Sequence, residues 1–274
     1  MPGTLFVVAT PIGNLADLSP RAAEVLRGAG TIACEDTRTS RVLLAAHGIR
    51  ARLVSLHEHN ERAAAAALVA ELAAGTSVAL VSDAGTPGLS DPGARLVEAA
   101  HGAGIRVIAV PGPSAAMAAW SASGFIAPQF LFAGFLPSSA GARRTAIAAL
   151  DPEHPVILYE APHRVRETLA GLAERFGAAR EVVVARELTK KFEEIARLPL
   201  GQAQAWLDAD PHREQGEFVL VLGPGTPSDP AAEGERVLSI LLESMPASEA
   251  ARLAARITGA PRNALYRVAL ESRK

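Results

Sequence analysis

The residues able to do chemistry gather in short segments, and in the first half each follows an apolar run. Thr10-Pro-Ile-Gly-Asn14 comes first. Cys34-Glu-Asp-Thr-Arg38 then sets two adjacent carboxylates and a guanidinium at the close of another run. Ser82-Asp-Ala-Gly-Thr-Pro-Gly-Leu-Ser-Asp-Pro-Gly93 has three glycines and two prolines in twelve residues, and Pro111-Gly-Pro-Ser114 is similar in kind. Glycine lets backbone approach a ligand closely, and proline holds a loop in one shape. One such loop is an ordinary tight connection; three at one sheet edge point to a ligand pocket. For Cys34–Arg38 two readings stand: substrate contact or proton handling, or an Asp36–Arg38 ion pair that stiffens the turn.

In the second half, Tyr159-Glu-Ala-Pro-His-Arg164 and Arg186-Glu-Leu-Thr-Lys-Lys-Phe-Glu193 each follow an apolar run. With Arg143, Arg144 and Arg166 they supply cations of the kind that meet RNA phosphates, or that simply face solvent. His57-Glu-His59 lacks a third ligand and reads as a solvated loop, so no metal is expected.

The elements that position these residues alternate. Apolar runs at Leu5–Thr10, Thr31–Glu35, Arg52–Ser55, Ser77–Ser82 and Arg106–Val110 read as buried strands. Helices lie between them: one opened by Ser19-Pro20, then Thr39–His47, one capped by Asn60, and Gly93–Ala103. Alternation of this kind gives an α/β fold with a largely parallel sheet, ligands binding beyond the carboxyl ends of its strands. A helix at Ser114–Ala122 leads to a second α/β region. Its strands are expected at Phe130–Phe135, Pro155–Glu160, Glu181–Glu187 and Glu217–Leu222, with one more at Ile195–Leu200. The expected domains are 1–118 and 119–224, then a Pro/Gly-rich linker and a helix-turn-helix-like tail over 234–274.

The chain has 274 residues, a formal net charge of −2 and one cysteine, Cys34. That size suits two domains. The charge excludes general coating of nucleic acid, so RNA must be met by a local patch; the tail holds seven Lys/Arg against four Asp/Glu. A lone cysteine fits a reducing compartment, and there is neither a signal peptide nor a membrane-length apolar run, so a cytoplasmic protein without membrane contact is expected. A dinucleotide site would need G-x-G-x-x-G after the first strand. Only Gly13 is present there, which rejects that reading and the common Rossmann-type methyltransferase with it.

Taken in order, Thr10–Leu15, Cys34–Arg38, Ser82–Pro87 with Ser90–Gly93, Pro111–Ala115, Phe132–Pro137, Tyr159–Arg164, Arg186–Lys190 and Gly216–Phe218 resemble the ribosomal RNA small subunit methyltransferase I family of the tetrapyrrole methylase superfamily. The resemblance spans about residues 4–222, and the tail is similar to that family's extension. It implies two α/β domains with S-adenosylmethionine in the cleft between them, 2′-O-methylation of a cytidine in the decoding region of 16S rRNA, met either as free rRNA or in the 30S subunit, and a homodimer. Carried over by motif, the donor site is Pro11, Asp83, Gly85, Thr86, Pro87, Leu89, Ser114 and Ala115, closed by Tyr159 and Pro162. A 2′-hydroxyl needs a proton acceptor, for which Asp36, Glu35, Glu160 and Glu187 are candidates, Asp36 foremost. Arg38, Arg164, Arg186 and Lys190 are the candidate RNA contacts. Two rivals stay open: a precorrin-type tetrapyrrole methyltransferase, and a ligand-sensing regulator whose tail reads DNA.

Overall fold

The computed structural model describes residues 1–57, 59–225 and 230–271; Glu58 of the two-histidine segment and residues 226–229 of the expected linker lie outside the described residues. The first half runs β1 (Thr4–Val8), α1 (Pro20–Gly28), β2 (Thr31–Cys34), α2 (Thr37–Ala46), β3 (Arg52–Ser55), α3 (Glu61–Ala73), β4 (Val78–Leu80), α4 (Ala94–Gly102) and β5 (Arg106–Val110). All five strands pair parallel, in the order β3-β2-β4-β1-β5. Every residue of β2 and β4 is buried, as expected of central strands covered on both faces. Leu26, Ile32 and Leu44 pack on one side, and Leu5, Leu68, Leu72 and Leu96 on the other.

Two local expectations are corrected by side-chain hydrogen bonds. Helix α2 starts at Thr37 rather than Thr39, because Asp36 Oδ1 accepts from Arg38 N at 2.7 Å and caps it. Asn60 precedes α3 but does not cap it. Its Oδ1 accepts from His57 N at 2.9 Å and its Nδ2 donates to Ser55 O at 3.0 Å, so it stitches the preceding loop.

The second half runs α5 (Ala115–Ser123), β6 (Leu131–Phe135), α6 (Ala140–Ala149), β7 (Val156–Glu160), α7 (Val165–Phe176), β8 (Glu181–Arg186), β9 (Glu194–Pro199), α8 (Ala203–Asp208) and β10 (Phe218–Leu222). Its sheet is mixed, in the order β6-β7-β10-β8-β9, with only β6 and β7 parallel. One face packs on α6 to α8 through Leu158, Leu169, Leu207 and Leu220. The other takes Ala116 and Ala119 of α5, with Ile12 from the first half joining the same cluster. Residue 118 thus falls inside a helix that already belongs to the second sheet, and Met1–Pro224 forms one compact unit holding both sheets.

Gly225–Lys274 forms a separate unit. Its helices are α9 (Pro230–Leu242), α10 (Ala247–Thr258) and α11 (Arg262–Glu271), packed around Leu238, Ala250, Ala254, Leu265 and Ala269. Gly259, at φ +76°, ends α10 in a left-handed conformation that glycine adopts without a Cβ penalty. Among the described residues no helix is long and apolar enough to cross a membrane.

Candidate active site

Parallel pairing puts the loops after β1, β2, β4 and β5 at one edge of the first sheet, and hydrogen bonds lock them together. Thr10 and Gly85 exchange backbone bonds of 2.8 and 3.1 Å. The buried Thr10 hydroxyl donates to Ser82 O at 3.1 Å. Asp36 N donates to Asp83 Oδ1 at 3.0 Å, and Thr86 Oγ1 donates to Pro113 O at 3.0 Å. Gly85 sits at φ +84°, which explains the glycine in that turn.

Between this edge and the second sheet lies a cavity of about 430 Å³. The loop after β4 lines it with Asp83 to Thr86 and Leu89 to Asp91; Ile12 and Ala115 add to that side. The second sheet contributes Phe135, Tyr159 to Pro162, Leu188 and Glu217 to Val219. Phe132 and Phe135 stand edge-to-face on the Tyr159 ring, with centroids 5.1 and 5.4 Å away. The Tyr159 hydroxyl accepts from Ala116 N at 3.3 Å, tying β7 to the start of α5. Gly134, at φ +61° in the bulge of β6, lets that strand approach the β4 loop: a Cβ there would lie 2.7 Å from Ser90 Oγ.

Seven of the residues expected around a donor line this cavity: Asp83, Gly85, Thr86, Leu89, Ala115, Tyr159 and Pro162. Pro11 and Pro87 are buried behind it, and Ser114 stands just before α5, its buried hydroxyl without a hydrogen-bond partner. Asp91 also lines the cavity and was absent from the expected set, although Ser90-Asp-Pro-Gly93 was read as part of a motif. Burial pushes its carboxyl above the usual aspartate range, as does the nearby Asp83; a Ser82 hydrogen bond works the other way. The apolar members Ile12, Phe135 and Leu188 lie within motifs of the resemblance, but none of them is among the expected donor residues.

Of the four candidate proton acceptors, three stand outside the cavity lining. Asp36 is held at about 2 by its hydrogen bonds to Arg38, whose guanidinium lies 2.6 Å from Oδ2. Both carboxylate oxygens are engaged, which realises the ion pair anticipated as the structural alternative. Burial raises the Glu187 carboxyl, but Lys190 Nζ at 2.8 Å and the Glu217 backbone N–H at 3.0 Å more than offset this and hold it low. Glu187 is also at φ +52°, packed against Gly216. Glu35 is half-buried, and its carbonyl accepts from Ser55 Oγ at 3.2 Å. None of the three is among the cavity-lining residues. Glu160 does reach the cavity, but its side chain is 0% exposed and bonded to Arg164, Ala161 N and Thr168 Oγ1.

The expected RNA cations are mostly committed internally. Arg164 is 12% exposed and bound to Glu160. Arg186 is 9% exposed, with Glu194 at 3.8 Å. Lys190 bridges Glu187 and Glu217 at 2.8 and 2.9 Å. Arg143 pairs with Glu167, and Arg166 with Asp208 and Glu214. Arg38 alone of the four proposed contacts is well exposed, at 85%.

The family match identifies the two-sheet unit as a tetrapyrrole methylase. The Tetrapyrrole (Corrin/Porphyrin) Methylases model matches residues 4–204, and the RsmI C-terminal HTH domain model matches residues 228–273. The fold is shared with the structure of uroporphyrin-III C-methyltransferase from Thermus thermophilus complexed with S-adenosylhomocysteine. That likeness has a TM-score of 0.54 at 17% identity, over 80% of this chain and 97% of that one. Ribosomal RNA small subunit methyltransferase I of Xylella fastidiosa strain Temecula1 is 52% identical, covering 97% of this chain and 98% of its own. Its counterpart in Pseudomonas aeruginosa is 49% identical, covering 98% and 97%. The chain belongs to the ribosomal RNA small subunit methyltransferase I family.

Proposed function

We propose that this chain transfers the methyl group of S-adenosylmethionine to the ribose 2′-oxygen of a cytidine in the decoding region of 16S rRNA, acting on the 30S subunit as a cytoplasmic homodimer. The observation that carries the reading is the cavity between the two sheets, apolar through Ile12, Leu89, Ala115, Phe135 and Leu188 and carrying Asp83 and Asp91. Such a lining suits a flat aromatic base beside a cationic centre, because apolar walls take the ring and buried carboxylates favour positive charge. Family membership at about 50% identity over nearly the whole chain supports the rRNA substrate over a tetrapyrrole.

The donor, when bound, supplies an electrophilic methyl on a positively charged sulfur. The chain's own task is then chiefly orientation, which can remove a large part of a transfer barrier. In this reading Asp83 to Thr86, Leu89, Asp91 and Ala115 hold the donor from the first sheet, with Tyr159 and Pro162 closing over it; Pro11, Pro87 and Ser114 brace these from behind. Asp36 positions Arg38 at the rim rather than taking a proton, since a carboxyl near 2 is a weak base at neutral pH. Arg38 meets phosphate, whereas Arg164, Arg186 and Lys190 shape the second-sheet wall.

The test is transfer of labelled methyl from S-adenosylmethionine to unmodified 30S subunits, followed by nucleoside mapping. Label on a cytidine ribose supports the reading. Label on a base, or on a precorrin but not on rRNA, overturns it.

A further inference from the structure

Among the described residues ten of the twenty Lys and Arg of Met1–Pro224 pair with carboxylates, whereas Arg262 and Arg267 of α11 do not. In α9 and α10, Arg236 pairs with Glu233 at 2.7 Å and Arg252 approaches Glu249 at 3.8 Å, while Arg256 is exposed and forms no ion pair among the described residues. On α11, Arg262 and Arg267 are exposed and form no ion pair among the described residues. Leu265 and Ala269 bury the inner face of this helix against its own unit. Arg262, Asn263, Tyr266, Arg267 and Leu270 are all exposed. At ~100° per residue these five fall within an arc of about 140°, so they form one continuous outer face. Tyr266 is 40% exposed there, between the two arginines. The one carboxylate of the helix, Glu271, lies at its far end.

The turn Gly259-Ala260-Pro261 joins α10 to α11, so α11 holds the place of the second helix in a helix-turn-helix, the one that meets nucleic acid in that motif. We infer that this face of α11 is an RNA-docking surface, with Arg262 and Arg267 on phosphates and Tyr266 stacked on an unpaired base. The inference rests on the rRNA reading given above. Charge complementarity carries it: a chain of net charge −2 must meet a polyanion locally, and here two unpaired guanidiniums flank an exposed ring. An exposed tyrosine favours RNA over duplex DNA, because stacking needs a base already out of a helix.

The test uses the full chain, comparing wild type with Arg262→Ala/Arg267→Ala, Tyr266→Ala and, as a control, Arg236→Ala. Binding to a single-stranded fragment of the 16S decoding region is followed by fluorescence anisotropy between 50 and 200 mM salt. The double variant is expected to bind about tenfold more weakly at low salt, with a log–log salt slope shallower by about 1 to 2. Tyr266→Ala should weaken binding about tenfold with the slope unchanged. Lysine at both arginine positions should restore the slope. In methyl transfer to 30S subunits, the double variant should raise KM about tenfold with kcat within twofold and donor affinity unchanged. Wild-type slope and affinity in both variants would overturn the inference, as would a loss confined to duplex DNA. If wild type methylates no rRNA at all, the rRNA reading falls, and the RNA-binding slopes still decide the role of α11.

Discussion

Replacing Arg164 with methionine should unfold the protein earlier rather than release its RNA. Glu160 Oε1 accepts from Arg164 Nε at 2.7 Å and from Ala161 N at 2.8 Å, while Oε2 accepts from Thr168 Oγ1 at 2.6 Å. The carboxylate is 0% exposed and the guanidinium 12%, so Arg164→Met leaves a buried charge with two neutral donors and no cation. Breaking one side of a buried pair costs about 3–5 kcal/mol, and the two remaining donors put the expectation at the lower end, about 3 kcal/mol. For a unit the size of Met1–Pro224, each kcal/mol lowers Tm by about 2–4 °C, giving a fall of about 6–12 °C. Glu160→Gln should cost less, about 1–2 kcal/mol, because it removes the charge and the guanidinium can still donate to Leu136 O at 3.3 Å. The double variant should recover at least 1 kcal/mol relative to the sum of the singles. Near-UV circular dichroism melts of the four proteins at pH 7 complete the cycle. If Arg164→Met melts within about 2 °C of wild type yet loses rRNA affinity, Arg164 is a phosphate ligand and its role as a strut is refuted.

Four further perturbations separate donor binding, proton handling and loop placement. Asp91 lines the cavity, and no cation contributes to its titration, so Asp91→Asn should weaken S-adenosylmethionine binding at least tenfold by calorimetry while leaving Tm level or higher. Arg38→Ala should raise the Asp36 carboxyl from about 2 toward the ordinary ~3.9, read by carboxyl carbon NMR. Because the folded value is depressed, the stability linked to Asp36 is present above about pH 4 and lost as pH falls through about 2. Asp36→Asn should accordingly slow methyl transfer at neutral pH by less than tenfold; a loss of about 10²–10⁴ would restore it as the proton acceptor. Gly134→Ala places a Cβ 2.7 Å from Ser90 Oγ at φ +61°, so it should cost about 1–2 kcal/mol in a thermal melt and weaken donor binding by displacing the β4 loop.

The sheet architecture was legible because buried parallel strands read as short apolar runs broken by Gly, Pro or a cap, as at Thr31–Cys34 and Val78–Leu80. The donor-side loops were legible for a related reason: Gly85, Gly88 and Gly93 all take positive φ, a demand that few other residues meet. What was lost lies in side-chain contacts and short elements that only the folded chain defines. Asn60 looked like a cap until Ser55 and His57 claimed its side chain. Helix α8 is six residues long, too short for a periodic pattern to declare itself. The cations of the second half looked available for RNA because Glu217, which takes Lys190, stands 27 residues away, and Glu214, which takes Arg166, stands 48 away. Asp91 was visible as part of a motif, but its burial in the cavity is a product of the folded loop.

If the cavity between the two sheets seats the methyl donor, filling it must abolish donor binding. Ala115→Trp fills that cavity from the start of α5. Calorimetry of S-adenosylmethionine binding to this variant, run beside a thermal melt, tests the claim directly. The expected result is a folded protein with donor affinity reduced at least 100-fold and no label transferred to 30S subunits. A folded Ala115→Trp protein that binds the donor and labels rRNA as wild type does would contradict it.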